Sequence, residues 1–359
     1  MAFGAGRLPG EMRDFEVYWT AAARALEAEP LYRAGDGHFQ FKYLPAFAVL
    51  TAPVALLPLA AAKAAWFVAS AALLPILIWL ALAILPQRHR PAWVLVLIVI
   101  VAMGKFYGHE LVLGQVNILF GVLATTALLL LRYRHDASAA ALFVAAIAVK
   151  PYAIVFLPWL AFTRGRRATI ASLIGVVVLV ALPVIVYGAA QTVALHAQWW
   201  TTVTESTAPN LTNNDNVSVA GMFAKWIGAG RTASVLALAL NALIVLGTAA
   251  VIRAGRFVRD REVLEGALLL TLIPLLSPQG WDYVFLVATP AIALFANYDR
   301  TLPAGLRWAT WLAVLSIGLS LYDLLGRERY ATFMAWSVIT VCFILLVASL
   351  GALRLRRSA

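Results

Sequence analysis

The chain has 359 residues, 63% hydrophobic and 13% charged, where a soluble domain carries roughly a quarter charged residues. A mean hydropathy of +0.86 excludes a water-soluble enzyme, a disordered tail and an ordinary nucleic-acid binder, because a soluble globule tolerates no such apolar surface. The net charge of +11 is confined to short basic clusters between apolar runs, so the chain reads as an all-α polytopic membrane protein.

The first 13 residues, with Arg7, Pro9, Gly10, Glu11 and Arg13, lack the apolar core of a cleavable signal. Next, Asp14–Ala28 reads as an amphipathic helix, with Phe15, Tyr18, Trp19, Ala22 and Leu26 along one face at helical spacing. Such a helix is expected to lie in the membrane interface. Spanning helices need about 20 apolar residues. Runs of that kind are Ala62–Leu85, Trp93–Phe106, Leu111–Leu131, Ile170–Tyr187, Ala233–Ile252, Trp308–Tyr322 and Phe333–Leu353. Leu44–Leu59 carries Pro45, Pro53 and Pro58, Ala139–Phe162 is split by Lys150-Pro151, and Leu268–Ile273 and Val284–Phe295 flank Ser277–Tyr283.

Sixteen of the 28 Lys and Arg residues lie in clusters at Arg88/Arg90, Arg132/Arg134, Arg164–Arg167, Arg253–Arg261, Arg300/Arg307 and Arg354–Arg357. Five acids share those segments, and elsewhere the charges cancel. The positive-inside rule assigns these loops to the cytoplasm. Parity then requires Leu44–Leu59, Ala139–Phe162 or both to be half-spanning or broken helices, which occur where protein lines a cavity. The extracytoplasmic segments become Asp14–Tyr43, Gly104–Gln115, Gly188–Gly230, Ser277–Tyr283 and Asp323–Tyr330, all rich in aromatic and polar residues. With no repeat and no linker, residues 1–359 read as one integral domain. Cys342, the only cysteine, excludes an internal disulfide and a Cys-rich metal site.

Asp14 fits a helix cap or a general base for an acceptor hydroxyl. Lys105 reads as a snorkelling cation; Lys150, beside a proline at membrane depth, points to a cavity. His109 and Glu110 cluster at a membrane boundary. Gly114-Gln115-Val116-Asn117 sets two amides at a helix start, as a cap or a sugar clamp. Asn216 lies in the polar stretch of the longest outer loop, and Ser277, Trp281 and Asp282 combine broken backbone, an indole face and a carboxylate. There is no phosphate loop, HExxH, GxSxG or Asp-x-Asp pair. A nucleotide-sugar donor and a bound metal are therefore not expected, and a lipid-borne sugar fits better.

In order, Asp14–Trp19, Pro30-Leu31-Tyr32, Tyr43-Leu44-Pro45, Ala52-Pro53, Leu57-Pro58, Trp66, Gly114–Asn117, Lys150-Pro151, Asn216–Ser218 and Leu276-Ser277-Pro278 with Trp281 resemble glycosyltransferase family 87. That family is the polyprenyl-phosphate-dependent mannosyltransferases of the GT-C fold. The resemblance implies an inner-membrane hexosyltransferase with an active site facing outward. It would move a hexose, expected to be mannose, from polyprenyl phosphate to a hydroxyl of a lipid-linked glycan or glycolipid, with inversion and no cofactor. Asp14 matches the family's base. Expected substrate contacts are Glu16, Tyr18, Lys42, Tyr43, His109, Gln115, Asn117, Lys150, Asn216, Ser277, Trp281 and Asp282, with Arg33 and His38 as further phosphate candidates. Expected partners are the lipid-phosphate donor, the lipid-linked acceptor and membrane lipids, with no nucleic acid.

Two departures stand out. Relatives usually carry a membrane helix before the aspartate motif, so this chain is expected either to start late or to lack that helix. Relatives also often have histidine after Ser-Pro…Trp, where this chain has Asp282-Tyr283. Two other readings compete: a non-catalytic assembly partner, and a lipid or solute transporter using Lys150, Glu110 and Asp282.

Overall fold

The computed structural model describes residues 12–254 and 260–356. Arg7, Pro9, Gly10, Glu11, Arg256, Arg259 and Arg357 lie outside the described residues. The helices run in chain order as α1 (Arg13–Leu26), α2 (Pro45–Thr51), α3 (Leu59–Ala83), α4 (Ala92–Leu113), α5 (Asn117–Arg132), α6 (Asp136–Val149), α7 (Phe156–Arg164), α8 (Arg166–Ala181) and α9 (Val184–Glu205). Then follow α10 (Val219–Ile227), α11 (Arg231–Ala254), α12 (Arg261–Leu276), α13 (Thr289–Tyr298), α14 (Ala304–Gly318), α15 (Tyr322–Leu325), α16 (Arg327–Ala335) and α17 (Val338–Arg356). Among the described residues the protein is all-α, its one β-type contact an isolated bridge between Asn216 and Trp281.

Four helices, α3, α4, α11 and α17, are long and apolar enough to cross a membrane. The pair α8–α9 adds a fifth if its 90° bend is counted as one broken span. Leu182 and Pro183 keep helical angles, and the break comes at Gly188, whose φ of 72° and ψ of 168° interrupt α9. Burial separates the roles of two spans. In its most apolar stretch α11 is 11% buried and α17 61% buried, so α11 offers its leucines to lipid while α17 belongs to a protein core.

Four of the seven predicted spans, Ala62–Leu85, Trp93–Phe106, Ala233–Ile252 and Phe333–Leu353, overlap these four helices, Ile170–Tyr187 falls in the bent pair, and several borders move. Leu111–Leu131 is not one helix: α4 continues to Leu113, and Gly114 turns the chain at φ +68° before α5 begins. Phe333–Leu353 is interrupted at Ser337, φ 52°, and Trp308–Tyr322 ends at Gly318, where an added Cβ would lie 2.5 Å from the Val101 carbonyl. Leu44–Leu59 is a short broken helix, α2 followed by a 3₁₀ turn over Ala52–Leu56. Ala139–Phe162 is broken at Lys150, as expected, into α6, a 3₁₀ turn (Pro151–Val155) and α7. The segment Gly188–Gly230, expected as a loop, is largely helical. Arg354, grouped above with the loop cations, is instead fully buried and donates to Glu265 at 2.7 Å.

The chain packs as two compact units, each assembled from separated stretches. One comprises the chain to Ile76, Gly108–Leu130 and His135–Ala208. The other comprises Leu77–Tyr107, Leu131–Arg134 and the chain from Pro209 onward. In the first, α1 packs on α2 and the 3₁₀ turn after it, and α6 packs on α8. In the second, α17 is the hub against α12, α13 and α14. The amphipathic helix is present over Arg13–Leu26, but its aromatic face does not rest in the membrane interface. Phe15 and Tyr18 are buried against Trp66, Tyr43 and Phe47. The buried stripe is completed by Ala21, Ala22 and Ala25 rather than by Leu26, which is exposed, because small side chains allow the close approach.

Candidate active site

The first unit gathers most of the candidate residues around the start of α1. That helix begins after Met12, which is left-handed at φ 63° and provides no side-chain cap. Asp14 is therefore not the cap that its position suggested. It lies in the first turn, where the helix dipole favours a carboxylate. The Met12 N–H donates to the Val112 carbonyl at 3.0 Å, pinning α1 to the end of α4. Gly114 makes this approach possible: a Cβ there would come within 2.8 Å of the Phe15 Cβ and 2.9 Å of the Met12 Cε.

With the backbones this close, Gln115 Nε2 donates to Asp14 Oδ2 at 2.7 Å. Gln115 Oε1 accepts from the Tyr18 hydroxyl at 2.8 Å, from Tyr43 at 3.3 Å and, at the limit, from Lys150 Nζ at 3.5 Å. Lys150 also donates to the Tyr43 hydroxyl at 2.6 Å, and the two tyrosine hydroxyls are 2.6 Å apart. An ammonium can only donate. Tyr43 therefore accepts from Lys150 and passes its proton to Tyr18 or Gln115, and Tyr18 donates to Gln115. Every hydrogen bond runs toward Asp14, and the amide orientation of Gln115 follows, with oxygen on the hydroxyls and nitrogen on the carboxylate. Lys150 is fixed because Pro151 ends α6 and holds residue 150 extended, at φ −143°. Its ammonium stands 4.5 Å from the centre of the Tyr43 ring, a cation–π contact.

The remaining candidates of this unit surround that chain. Lys42 is half-buried; burial pushes its ammonium below the ordinary pKa while the charge of Asp14 draws it back up. The Trp199 indole fixes the Lys42 carbonyl at 3.1 Å. Glu16 is paired with the buried Lys63. Glu110 accepts from the backbone N–H of Asn117, from Asn117 Nδ2 at 2.8 Å and from the Ile118 N–H at 3.1 Å. Glu110 thus caps α5, and the fully buried Asn117 has its amide nitrogen committed to that cap. His109, half-buried, precedes Glu110 in α4. Arg33 pairs with Glu29 at 2.5 Å, and His38 lies exposed in the loop.

The other candidates form a clasp in the second unit. Asn216 bridges to Trp281, the Val217 N–H donates to the Gly280 carbonyl at 2.7 Å, and the Asp282 N–H to the Asp215 carbonyl at 3.0 Å. Asn216 Nδ2 donates to the carbonyls of Asn210 and Pro278 at 3.0 and 2.9 Å. Ser218 caps α10 by accepting from the Gly221 N–H. Ser277 is the C-cap of α12, its N–H on the Ile273 carbonyl at 3.1 Å. Asp282 is fully buried, 3.4 Å from Lys105, so Lys105 is an ion-pair partner and not a snorkelling cation. Lys225 donates to the carbonyls of Asn216 and Met334, each at 2.9 Å, and burial pushes it down to about 8.

Sequence reasoning missed two contributors. Lys63 is a lone cation in an apolar helix, a signal that pointed to it; Lys225 gave none beyond its residue type. Among the described residues no group of three or more His, Cys, Asp or Glu side chains could hold a metal ion.

These features define an all-α membrane protein with a polar network buried beside its first helix. The sequence profile of glycosyltransferase family 87 matches residues 41–278, about two-thirds of the chain, and the protein belongs to that family: it is a glycosyltransferase. The match includes Lys42, Tyr43, His109, Gln115, Asn117, Lys150, Asn216 and Ser277. It begins after Asp14, Glu16 and Tyr18 and ends before Trp281 and Asp282. No curated protein and no solved structure matches the chain.

Proposed function

We propose that this glycosyltransferase moves a hexose, mannose by family resemblance, from a polyprenyl phosphate to a hydroxyl of a lipid-linked glycan or glycolipid. The reaction takes place on the extracytoplasmic side of the inner membrane. Asp14 removes the proton of the acceptor hydroxyl, the acceptor oxygen forms a bond to the anomeric carbon from the face opposite the phosphate, and the carbon–oxygen bond to phosphate breaks. The electron pair leaves with the lipid phosphate, and configuration inverts. The observation that carries this reading is the half-exposed Asp14 carboxylate held at 2.7 Å by Gln115, itself fixed by Tyr18, Tyr43 and Lys150. A base must be held in register with its proton, and a preorganised chain of donors does that. Lys42, whose charge couples to Asp14, is the cation we assign to balance the leaving phosphate.

The transport reading loses support from the same contacts. Glu110, Lys150 and Asp282 each hold an internal partner, so the three residues that reading relies on are already engaged within the protein. The test is direct: purified protein receives polyprenyl-phosphate hexoses and glycolipid acceptors, and the product is separated and its anomeric configuration read by NMR. A product of inverted configuration supports the proposal; none from any donor contradicts it.

A further inference from the structure

A cavity of about 400 Å³ opens along α1, within the range of about 300–1,000 Å³ typical of ligand pockets. Arg13, Glu16, Thr20 and Arg24 line one side of it, and Asp36, Phe39 and Phe41 the other. At roughly 100° per residue and ~1.5 Å rise, the four α1 side chains form a stripe about 16 Å long. Asp14 stands beside the cavity and not in its lining: its helical position falls between that stripe and the buried stripe of Phe15 and Tyr18, next to Arg13 at one end.

The lining indicates what enters. Arg24 grips Asp36 through two hydrogen bonds, 2.6 and 2.8 Å, and Glu16 is paired with Lys63. Both ion pairs on the walls are thus already neutralised and Arg13 adds a single further cation, which disfavours a polyanion. An acyl or prenyl chain is disfavoured by the same polar groups. Paired carboxylates and guanidinium groups keep unused lone pairs and N–H donors, and Phe39, 42% exposed, offers an aromatic face. Hydrogen-bonding groups on one wall and a bare ring on the other suit a neutral, polyhydroxylated ligand.

We propose that this cavity binds the glycan part of the acceptor, several sugar rings long, with its terminal hydroxyl at Asp14 and the preceding rings running along α1 toward the Arg24–Asp36 pair. The proposal rests on the transferase reading and adds to it: the enzyme selects acceptors by chain length. Arg24 and Asp36 close the far end and are positioning residues, while Phe39 and Thr20 contact sugar.

The experiment compares octyl glycosides of one, two and three hexoses, in a mannose and a glucose series, as acceptors for wild type, Phe39→Ala and the cavity-filling Thr20→Trp. Titration calorimetry of each trisaccharide glycoside accompanies the assay. Wild type is expected to favour the trisaccharide over the monosaccharide in kcat/KM, and either variant to reduce that ratio about tenfold through KM, a change of 1.4 kcal/mol. Calorimetry is expected to show the matching loss of affinity. A wild type indifferent to length in both series, or variants that leave the ratio unaltered, would overturn the proposal. An enzyme that transfers to no acceptor would overturn the transferase reading instead. In that case the titration decides the cavity alone: affinity weakened by both variants upholds it, and absence of binding removes it.

Discussion

Gln115 in the first unit and Asn216 in the second are both side-chain amides at a break between helices, and both belong to the motifs that define the candidate site. Their partners differ. Gln115 bonds side chains: a carboxylate, two phenols and an ammonium. Asn216 bonds the backbone, holding the carbonyls of Asn210 and Pro278. An amide that satisfies main-chain groups is architecture, because those groups need a partner whatever the reaction is. An amide that joins ionisable side chains and ends on a half-exposed carboxylate orients chemistry. Residue type alone does not separate the two; the partner does.

That contrast is most open to disproof at Gln115. Gln115→Ala leaves Asp14 without its donor and Tyr18 without its acceptor, and is expected to lower kcat about 100-fold with KM for donor nearly constant. Steady-state kinetics with the donor varied checks this, and a loss confined to KM would assign Gln115 to binding. Gly114→Ala comes next. Its positive φ and the 2.8 Å approach to Phe15 are expected to cost about 1–3 kcal/mol and to displace Asp14, so both thermal midpoint and turnover fall. Asn216→Ala removes three hydrogen bonds to the backbone, those to the Asn210 and Pro278 carbonyls and the one accepted from the Ser218 N–H, and a loss of about 1–3 kcal/mol is expected. Activity should then track the folded fraction, as measured by thermal melting beside the assay.

The smallest effect is a pH dependence. The Arg24 guanidinium bonded to Asp36 holds its carboxyl below the ordinary value of 3.8. Because the folded pKa is depressed, the stabilisation is complete above that ordinary value and disappears as pH falls through the depressed one. Asp36 is half-buried and its pair opens to the cavity, so the contribution is small. Limited proteolysis of the Ala34–Phe39 loop is expected to accelerate only on acidification below about 4, and Asp36→Asn to abolish the change.

Much of this was legible in the residues. Apolar runs located the spans, and proline beside Lys150 located a true break. The break at Gly114 was hidden inside the run Leu111–Leu131, because hydropathy does not register a left-handed glycine imposed by the packing of α1 against the end of α4. The face of α1 was misjudged at Leu26 because alanines carry the contact. The members of the Asp14 network were visible as motif residues, but their pairing was not. Gln115 lies 101 residues from Asp14 and 97 from Tyr18, and only the fold brings such residues together. Lys63 was overlooked since its partner Glu16 lies 47 residues away, far outside any helical spacing.

The central claim is that the Asp14 carboxylate takes the acceptor's proton. The most direct measurement is single-turnover transfer by Asp14→Asn beside wild type, with donor binding followed in the same preparations. The account predicts donor binding retained and transfer slowed by about 10²–10⁴, whereas transfer at the wild-type rate would contradict it.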